Sequence, residues 1–490
     1  MVLKKILEKV EYSLICGSVD IDIADIAYDS RKVVESGMFV ALYGSVVDGH
    51  KYIESAIDKG AVAVVAERDV ESTLIEKCKK SGVTLIRVED GRYTLGVMSA
   101  AYFDYPAQKL ITIGITGTKG KSSVEHMIKD IIEKSGEKCG IIGTIGAFID
   151  GESIPTENTT PESYELHKMF AHMVEKGCKY MIMEVSSQGI KMNRVAGIFY
   201  DYGVFTNISP DHIGPNEHAD FDEYLMYKSK LFENCKVGIF NKDDEHFDEI
   251  TKNATCEIVT FGKSDADMIA TEIEHVQEQD SLAMKFKASG ILQGEIVVGL
   301  PGYFNVYNAM CAACVGAKLG IDKDVILHGL EHVKIAGRVE SIPTGGNFAV
   351  IVDYAHNGIS TESVLKTLRG YNPRRLVAIF GCGGNRSKLR RYEMGEAVGR
   401  YADLAVITSD NPRTEDVNNI VEDILVGIGK TDGKYEIIID RTEAVKYAID
   451  NAEDGDIIIL LGKGHEDYQE INGVKYHYSD REAVLSALEN

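Results

Sequence analysis

Gly117, Gly120, Lys121 and Ser122 follow directly on the apolar run Ile111-Thr112-Ile113-Gly114-Ile115-Thr116. Glycines that let the main chain approach closely, free N–H groups at a helix start, a lysine and a hydroxyl together make a cradle for nucleotide phosphates and their magnesium. Only Thr118 and Lys119 separate Gly117 from Gly120, where the common phosphate loop has four residues, so the loop is a variant. Its bland alternative is a strand-to-helix turn with an exposed lysine. The helical stretch Val124 to Lys134 that follows favours the cradle.

Two further apolar runs end in residues suited to the same task. Tyr180-Met181-Ile182-Met183 ends in Glu184, and Val204-Phe205 runs into Thr206-Asn207-Ile208-Ser209-Pro210-Asp211-His212. Mg2+ keeps much of its water and takes few protein ligands, so Ser122, Glu184 and His212 would suffice alongside nucleotide oxygens. Taken singly, Glu184 could cap the next segment and His212 could be a turn histidine; together, after a phosphate loop, they point to ATP with Mg2+.

Such residues need strands that end on one face. Short apolar runs alternate with helix-like segments along the 490 residues, the pattern of α/β folds with parallel sheets and crossover helices. Ligands in such sheets sit beyond the carboxyl ends of the strands. The length suggests about three domains. We place them at residues 1–108, 109–334 and 335–490, the first ending near Tyr105-Pro106. Strands are expected at Ala349 to Val352, Leu376 to Phe380, Leu404 to Thr408, Glu436 to Ile439 and Asp456 to Leu461.

Apolar residues at 44% and charged residues at 26% are ordinary for a soluble protein, and no apolar run is long enough to span a bilayer. Charges interrupt the N-terminal apolar residues too early for a signal peptide, so a cytoplasmic protein without membrane partners is expected. The net charge of −23 argues against nucleic acid. Among nine cysteines only Cys311 and Cys314 are closely spaced, within small residues that read as a buried helix rather than a metal site.

Further motifs stand in order along the chain: Tyr28-Asp29-Ser30-Arg31-Lys32, Asp48-Gly49-His50, Asn158-Thr159-Thr160-Pro161, Glu184 to Ser187, Asn305 to Asn308, Gly337-Arg338, Asp353-Tyr354-Ala355-His356, Gly381 to Arg386, Asp410-Asn411-Pro412-Arg413 and Gly462-Lys463-Gly464-His465-Glu466. With the phosphate loop, this set resembles the Mur ligase family, and within it the UDP-N-acetylmuramoyl-tripeptide synthetases, over nearly the whole chain. The resemblance implies a UDP-binding N-terminal α/β domain, a central phosphate-loop ATPase-like parallel sheet and a C-terminal Rossmann-like domain. It implies an ATP-dependent ligase in cytoplasmic peptidoglycan precursor synthesis. The carboxylate of UDP-N-acetylmuramoyl-L-alanyl-D-glutamate would take the γ-phosphate, and the amine of a diamino acid would displace phosphate from the acyl phosphate. A monomer is expected.

The resemblance also implies roles. Lys121, Glu184, His212 and Lys228 would be catalytic, with Lys228 carbamylated and joining Ser122, Glu184 and His212 as a metal ligand. By residue chemistry alone Lys228 reads as a solvated helix lysine, no better placed than Lys230. Gly117 to Ser122, with Asn305, Asn308, Arg338, Asp353 and His356, would hold ATP; helix capping is the alternative for the two asparagines. Ser30, His50, Thr159, Thr160, Ser186 and Arg194 would bind the UDP-sugar peptide. Arg386, Asp410, Asn411, Arg413, Gly462 and Glu466 would bind the amino acid. Family members with arginine at the place of Arg413 typically add meso-diaminopimelate, whose second carboxylate suits a two-pronged guanidinium contact. Asp410 or Asn411 could instead cap a helix with Pro412 in its first turn.

Gln188 stands where the family usually has histidine, Met192 where glutamine is usual, and His212 to His218 departs from the usual continuation. Addition of L-lysine and a diverged paralogue with another carboxylate acceptor are the competing readings. A folate-type glutamate ligase is disfavoured by the Ser30 and His50 motifs, and a binding-only module by Lys121, Glu184, His212 and Lys228.

Overall fold

The computed structural model describes residues 1–44, 47–214, 217–278 and 281–489. Pro215 and Asn216, within the departing segment, lie outside the described residues. The chain forms two compact units, Met1–Thr260 and Phe261–Asn490. Among the described residues no helix is long and apolar enough to cross a membrane.

The first unit holds two sheets. The N-terminal one runs in the order Ser13–Cys16, Thr84–Arg87, Ala63–Ala66, Met38–Ala41, Ile26–Ala27, parallel except for its first pair. In the other, Ile111–Thr116 lies between Tyr180–Glu184 and Tyr200–Phe205, with Cys139–Gly143 and Cys235–Asn241 outside them, all parallel. Strands buried on both faces are near-continuous apolar runs, which is how these segments read. Register pairs Glu184 with Ile115 and Phe205 with Thr116, so the three strands end side by side at the glycine loop. The helix Lys121–Lys134 starts three residues earlier than the sequence pattern gave, directly on Gly120.

The second unit opens with Met268–Glu278, Ser281–Gly290 and Gly294–Val298, which pair antiparallel. The parallel reading overlooked this trio; Leu282, Met284, Phe286 and Ala288 are buried at alternate positions, the period of a half-buried strand. The helix Tyr303–Lys318 buries Cys311 and Cys314 completely, as packing residues should be. A second sheet follows in the order Glu340–Ile342, Ala349–Asp353, Ile457–Leu461, Leu376–Phe380, Leu404–Ile407, Tyr435–Ile437. The last strand ends at Ile437 and not Ile439, because Asp440 must turn to accept from the Thr442 and Glu443 amides and start the helix Arg441–Asp450.

Candidate active site

The loop after Ile111–Thr116 is held by its neighbour strand's exit. Gly117 has φ 148°, and a Cβ there would overlap Thr206 Oγ1, so glycine is required twice over. Thr206 Oγ1 and Asn207 Nδ2 both donate to Lys119 O, at 2.7 and 3.0 Å, while Asn207 Oδ1 accepts from the Lys119 amide. Thr118 donates its amide to Asn207 O. Lys121 Nζ donates to Gly117 O at 2.9 Å and to Thr118 O at 3.2 Å, which keeps the ammonium at the loop.

Ser122 and Glu184 meet here. Ser122 Oγ donates to Glu184 Oε1 at 2.7 Å, and Thr144 donates to the same carboxylate through its amide and hydroxyl. Glu184 therefore does not cap the following helix; Ser186 does, accepting from the Gly189 amide. Thr159, Thr160, Ser186 and Arg194 continue from the same point. Thr160 Oγ1 donates to Glu184 O and accepts from the Ser186 amide, Thr144 and Thr159 hydroxyls are 3.0 Å apart, and Arg194 reaches Thr160 O and Glu162. Ser30 and His50 follow the carboxyl ends of Ile26–Ala27 and Met38–Ala41 in the N-terminal sheet. Both ring nitrogens of His50 are engaged, by Asp48 Oδ1 at 2.8 Å and the Glu67 amide at 3.2 Å.

Lys228 is not a solvated lysine. In the helix Phe221–Ser229 it is 2% exposed, its Nζ donating to Gly117 O at 2.9 Å over the Tyr224 ring, whereas Lys230 is exposed. Burial, then the nearby Lys121 ammonium, holds its amine well below the usual lysine range. His212 has φ 54° and shares a 3.0 Å contact with Glu217; the preceding Asp211 faces Lys119 at 3.7 Å. Oxygen donors from Ser122 and Glu184 already converge, with an imidazole on the adjoining segment. This donor set fits a hard, small dication.

The second unit places its own set. Asn305 Nδ2 donates to Pro301 O and Asn308 Nδ2 to Asn305 Oδ1, both buried inside the helix Tyr303–Lys318. Neither caps it, since Gly302 occupies that place. Asp353 accepts from the Val339 and Ala355 amides, Arg338 lies over the Tyr354 ring, and His356 Nδ1 contacts Tyr354 O, so Arg338, Asp353 and His356 gather around one tyrosine. The Arg338 Nε is buried without a hydrogen-bond partner.

Asp410, Asn411, Gly462 and Glu466 form a second cluster. Asn411 Nδ2 donates to Glu466 Oε2 at 2.9 Å, and a Cβ on Gly462, at φ 108°, would stand 2.5 Å from Asp410 Oδ2. No helix begins at Asp410 or Asn411; the next starts at Val417, capped by Asp416, because Arg413 adopts φ 54° and turns the chain. Arg413 donates to Gly384 O at 2.7 Å and to Glu470 at 3.3 Å, and a Cβ on the adjoining Gly383 would meet both Arg413 Nη1 and Arg386 Cγ.

Residues 22–103 match the Mur ligase family catalytic domain, 115–316 the Mur ligase middle domain and 337–464 the Mur ligase glutamate ligase domain. A protein of Caldanaerobacter subterraneus subsp. tengcongensis, named UDP-N-acetylmuramoyl-L-alanyl-D-glutamate--2,6-diaminopimelate ligase, is 40% identical over 96% of both chains. The chain belongs to the Mur ligase family. A Clostridium acetobutylicum Mur ligase of the same name, numbered 1, is 40% identical over 99% of this chain and 98% of its own. A solved Mur ligase structure with that title superposes with TM-score 0.75 at 29% identity, covering 100% of this chain and 99% of the other.

Three residues of this Mur ligase stand out to which the motifs assign no role. Glu125, 1% exposed, lies beside Glu184; burial and that neighbour raise its carboxyl well above the usual range. Lys463 is 0% exposed, with Nζ 3.2 Å from Asn411 Oδ1, 3.5 Å from Glu466 and 3.8 Å from Asp410. It sits inside a motif read for its neighbours, Gly462 and Glu466. His218, also fully buried, contacts Ser187 Oγ at 2.9 Å. Only its place in the departing segment hinted at it.

Proposed function

We propose that this Mur ligase joins meso-diaminopimelate to UDP-N-acetylmuramoyl-L-alanyl-D-glutamate at the expense of ATP, as a cytoplasmic monomer. The reading rests above all on Arg413, a guanidinium fixed by Gly384 O and Glu470 beside Arg386, in the same unit as the carboxylates Asp410 and Glu466 that converge on Lys463. Cations for two carboxylates and anions for a distal ammonium suit a diamino diacid better than lysine, which lacks the second carboxylate. The names of the 40% identical relatives agree.

Gly117, Thr118, Lys119, Gly120, Lys121 and Ser122 hold the phosphates, Asn305 and Asn308 the base, and Arg338, Asp353 and His356 the rest of the nucleotide. Ser30, His50, Thr159, Thr160, Ser186 and Arg194 hold the UDP-sugar peptide. Ser122, Glu184, His212 and Lys228, the last as a carbamate, would hold Mg2+, which would supply positive charge for two anions that otherwise repel. A buried, weakly basic Lys228 amine suits carbamylation, which adds CO2 to nitrogen with loss of a proton. Lys121 brings the acceptor carboxylate and γ-phosphate into range for in-line transfer, and the acyl phosphate then loses phosphate to the incoming amine. The domains run over 1–108, 109–334 and 335–490.

Phosphate release by the purified chain with ATP, Mg2+ and the UDP-linked dipeptide tests this directly. Meso-diaminopimelate should drive it, and L-lysine at equal concentration should drive it far more slowly. Faster release with lysine overturns the role of Arg413; none with either points to another acceptor.

A further inference from the structure

His218 is an interior polar residue of the first unit. Its ring is fully buried, with Nε2 2.9 Å from Ser187 Oγ and the rings of Tyr224 and Tyr227 at 5.4 and 5.6 Å. Its Nδ1 is buried without a hydrogen-bond partner, and Glu223 Oε2 stands 3.7 Å away. Glu223 is itself held, accepting from the Ala219 amide and from Lys191 Nζ, whose ammonium also donates to Glu217 O.

The backbone of His218 closes the turn that carries His212. Its amide donates to His212 O, and its carbonyl accepts from the Gly214 amide, both at 3.0 Å. Among the described residues, the His212 ring contacts the half-exposed Glu217 at 3.0 Å and lies 6.0 Å from the Tyr224 ring. At its other end the loop joins the phosphate cradle, where the Ser209 amide donates to Thr118 Oγ1 and that hydroxyl contacts Tyr224 OH at 3.1 Å.

We propose that His218 is a positioning residue: its buried imidazole pins the turn against Ser187 and the two tyrosines, and so fixes where His212 presents its ring to the metal. This rests on the reading of His212 as a metal ligand. Ligand rings aimed by outer contacts commonly lose about 10- to 100-fold in metal affinity when those contacts are removed. Ser187 opens the helix Ser187–Lys191, capped by Ser186, so the same bond ties the metal-side turn to the proposed acceptor side.

Mn2+ binding followed by electron paramagnetic resonance on the full chain separates the possibilities. His212→Ala defines the affinity that depends on the ligand. His218→Phe, which keeps a ring but no hydrogen bond, should weaken Mn2+ about tenfold or more, and Ser187→Ala should do so partially. His218→Gln, whose amide reaches where Nε2 lies, should recover most of the loss, and His212→Ala/His218→Phe should bind no worse than His212→Ala. A folded His218→Phe with wild-type Mn2+ affinity, equal loss in the Phe and Gln variants, or additive losses would overturn the proposal. Should His218→Phe not fold, Ser187→Ala and His218→Gln still decide it. If His212→Ala binds Mn2+ normally, the ligand reading fails and this inference with it; if only His218→Phe does, the ligand reading stands alone.

Discussion

The phosphate cradle of the first unit and the amino-acid cluster of the second are built on different principles. Around Gly117 to Ser122 most partners are main-chain groups: Lys121 and Lys228 both donate to Gly117 O, and Thr206 and Asn207 both donate to Lys119 O. Around Asp410 to Arg413 the links are mainly between side chains, with Lys463 buried among Asp410, Asn411 and Glu466. A main-chain cradle reads phosphates without regard to what they are attached to, whereas a side-chain cluster can be altered residue by residue. In the function proposed above, chemistry common to a family belongs in the first, and the choice of amino acid in the second.

The largest test of this contrast is Lys228→Ala. It should lower turnover roughly 10^2- to 10^3-fold, the usual effect of removing one preorganised electrostatic group, with the melting transition retained and both amino acids affected alike. Initial rates with meso-diaminopimelate and lysine check it; a loss confined to one amino acid would break the division of labour.

Arg413→Ala should act the other way. Loss of a charged hydrogen-bonding partner costs about 1.5–3 kcal/mol, read as a higher KM for diaminopimelate with the KM for ATP unchanged. Equal changes in both would make the arginine structural.

Glu125→Gln probes the cradle's stability. The Glu125 carboxyl has a folded-state pKa raised above its unfolded value, so the folded protein holds the proton more tightly. Its contribution to stability is complete below the unfolded pKa and is lost as pH climbs toward the folded one. The carboxamide of the variant mimics the protonated form at every pH. Thermal or urea unfolding of the metal-free protein should therefore favour the variant increasingly with pH above the ordinary glutamate range, by about 1.4 kcal/mol per pH unit inside that window. Parallel pH profiles would show that Glu125 ionises without penalty.

Lys230→Ala, two residues from Lys228 and exposed, should change stability by no more than about 0.5 kcal/mol and leave turnover alone. A loss like that of Lys228→Ala would exchange the roles of the two lysines.

Much was legible because it is local. A glycine loop between an apolar run and a helix needs no distant partner to be recognised, and the strands Leu376–Phe380 and Ile457–Leu461 declare themselves as unbroken apolar runs. The same locality misled where partners were remote. Asp410-Asn411-Pro412 has the composition of a helix start, yet its polar atoms are claimed by Glu466, Gln469, Glu470 and Lys463, far along the chain. Helix capping, the alternative to a nucleotide role for Asn305 and Asn308, fails in the same way, since both are buried within a helix.

The amino-acid sequence by itself determined the glycine loop between strand and helix and the motifs that mark a Mur ligase, since each depends on neighbours within a few residues. The tertiary structure decided which of two nearby lysines is buried, that Glu125 lies beside Glu184, and that Lys463 and His218 are enclosed. Burial is set by what packs from elsewhere in the chain, and with it go the desolvation and charge neighbours that control how a lysine, carboxyl or imidazole behaves.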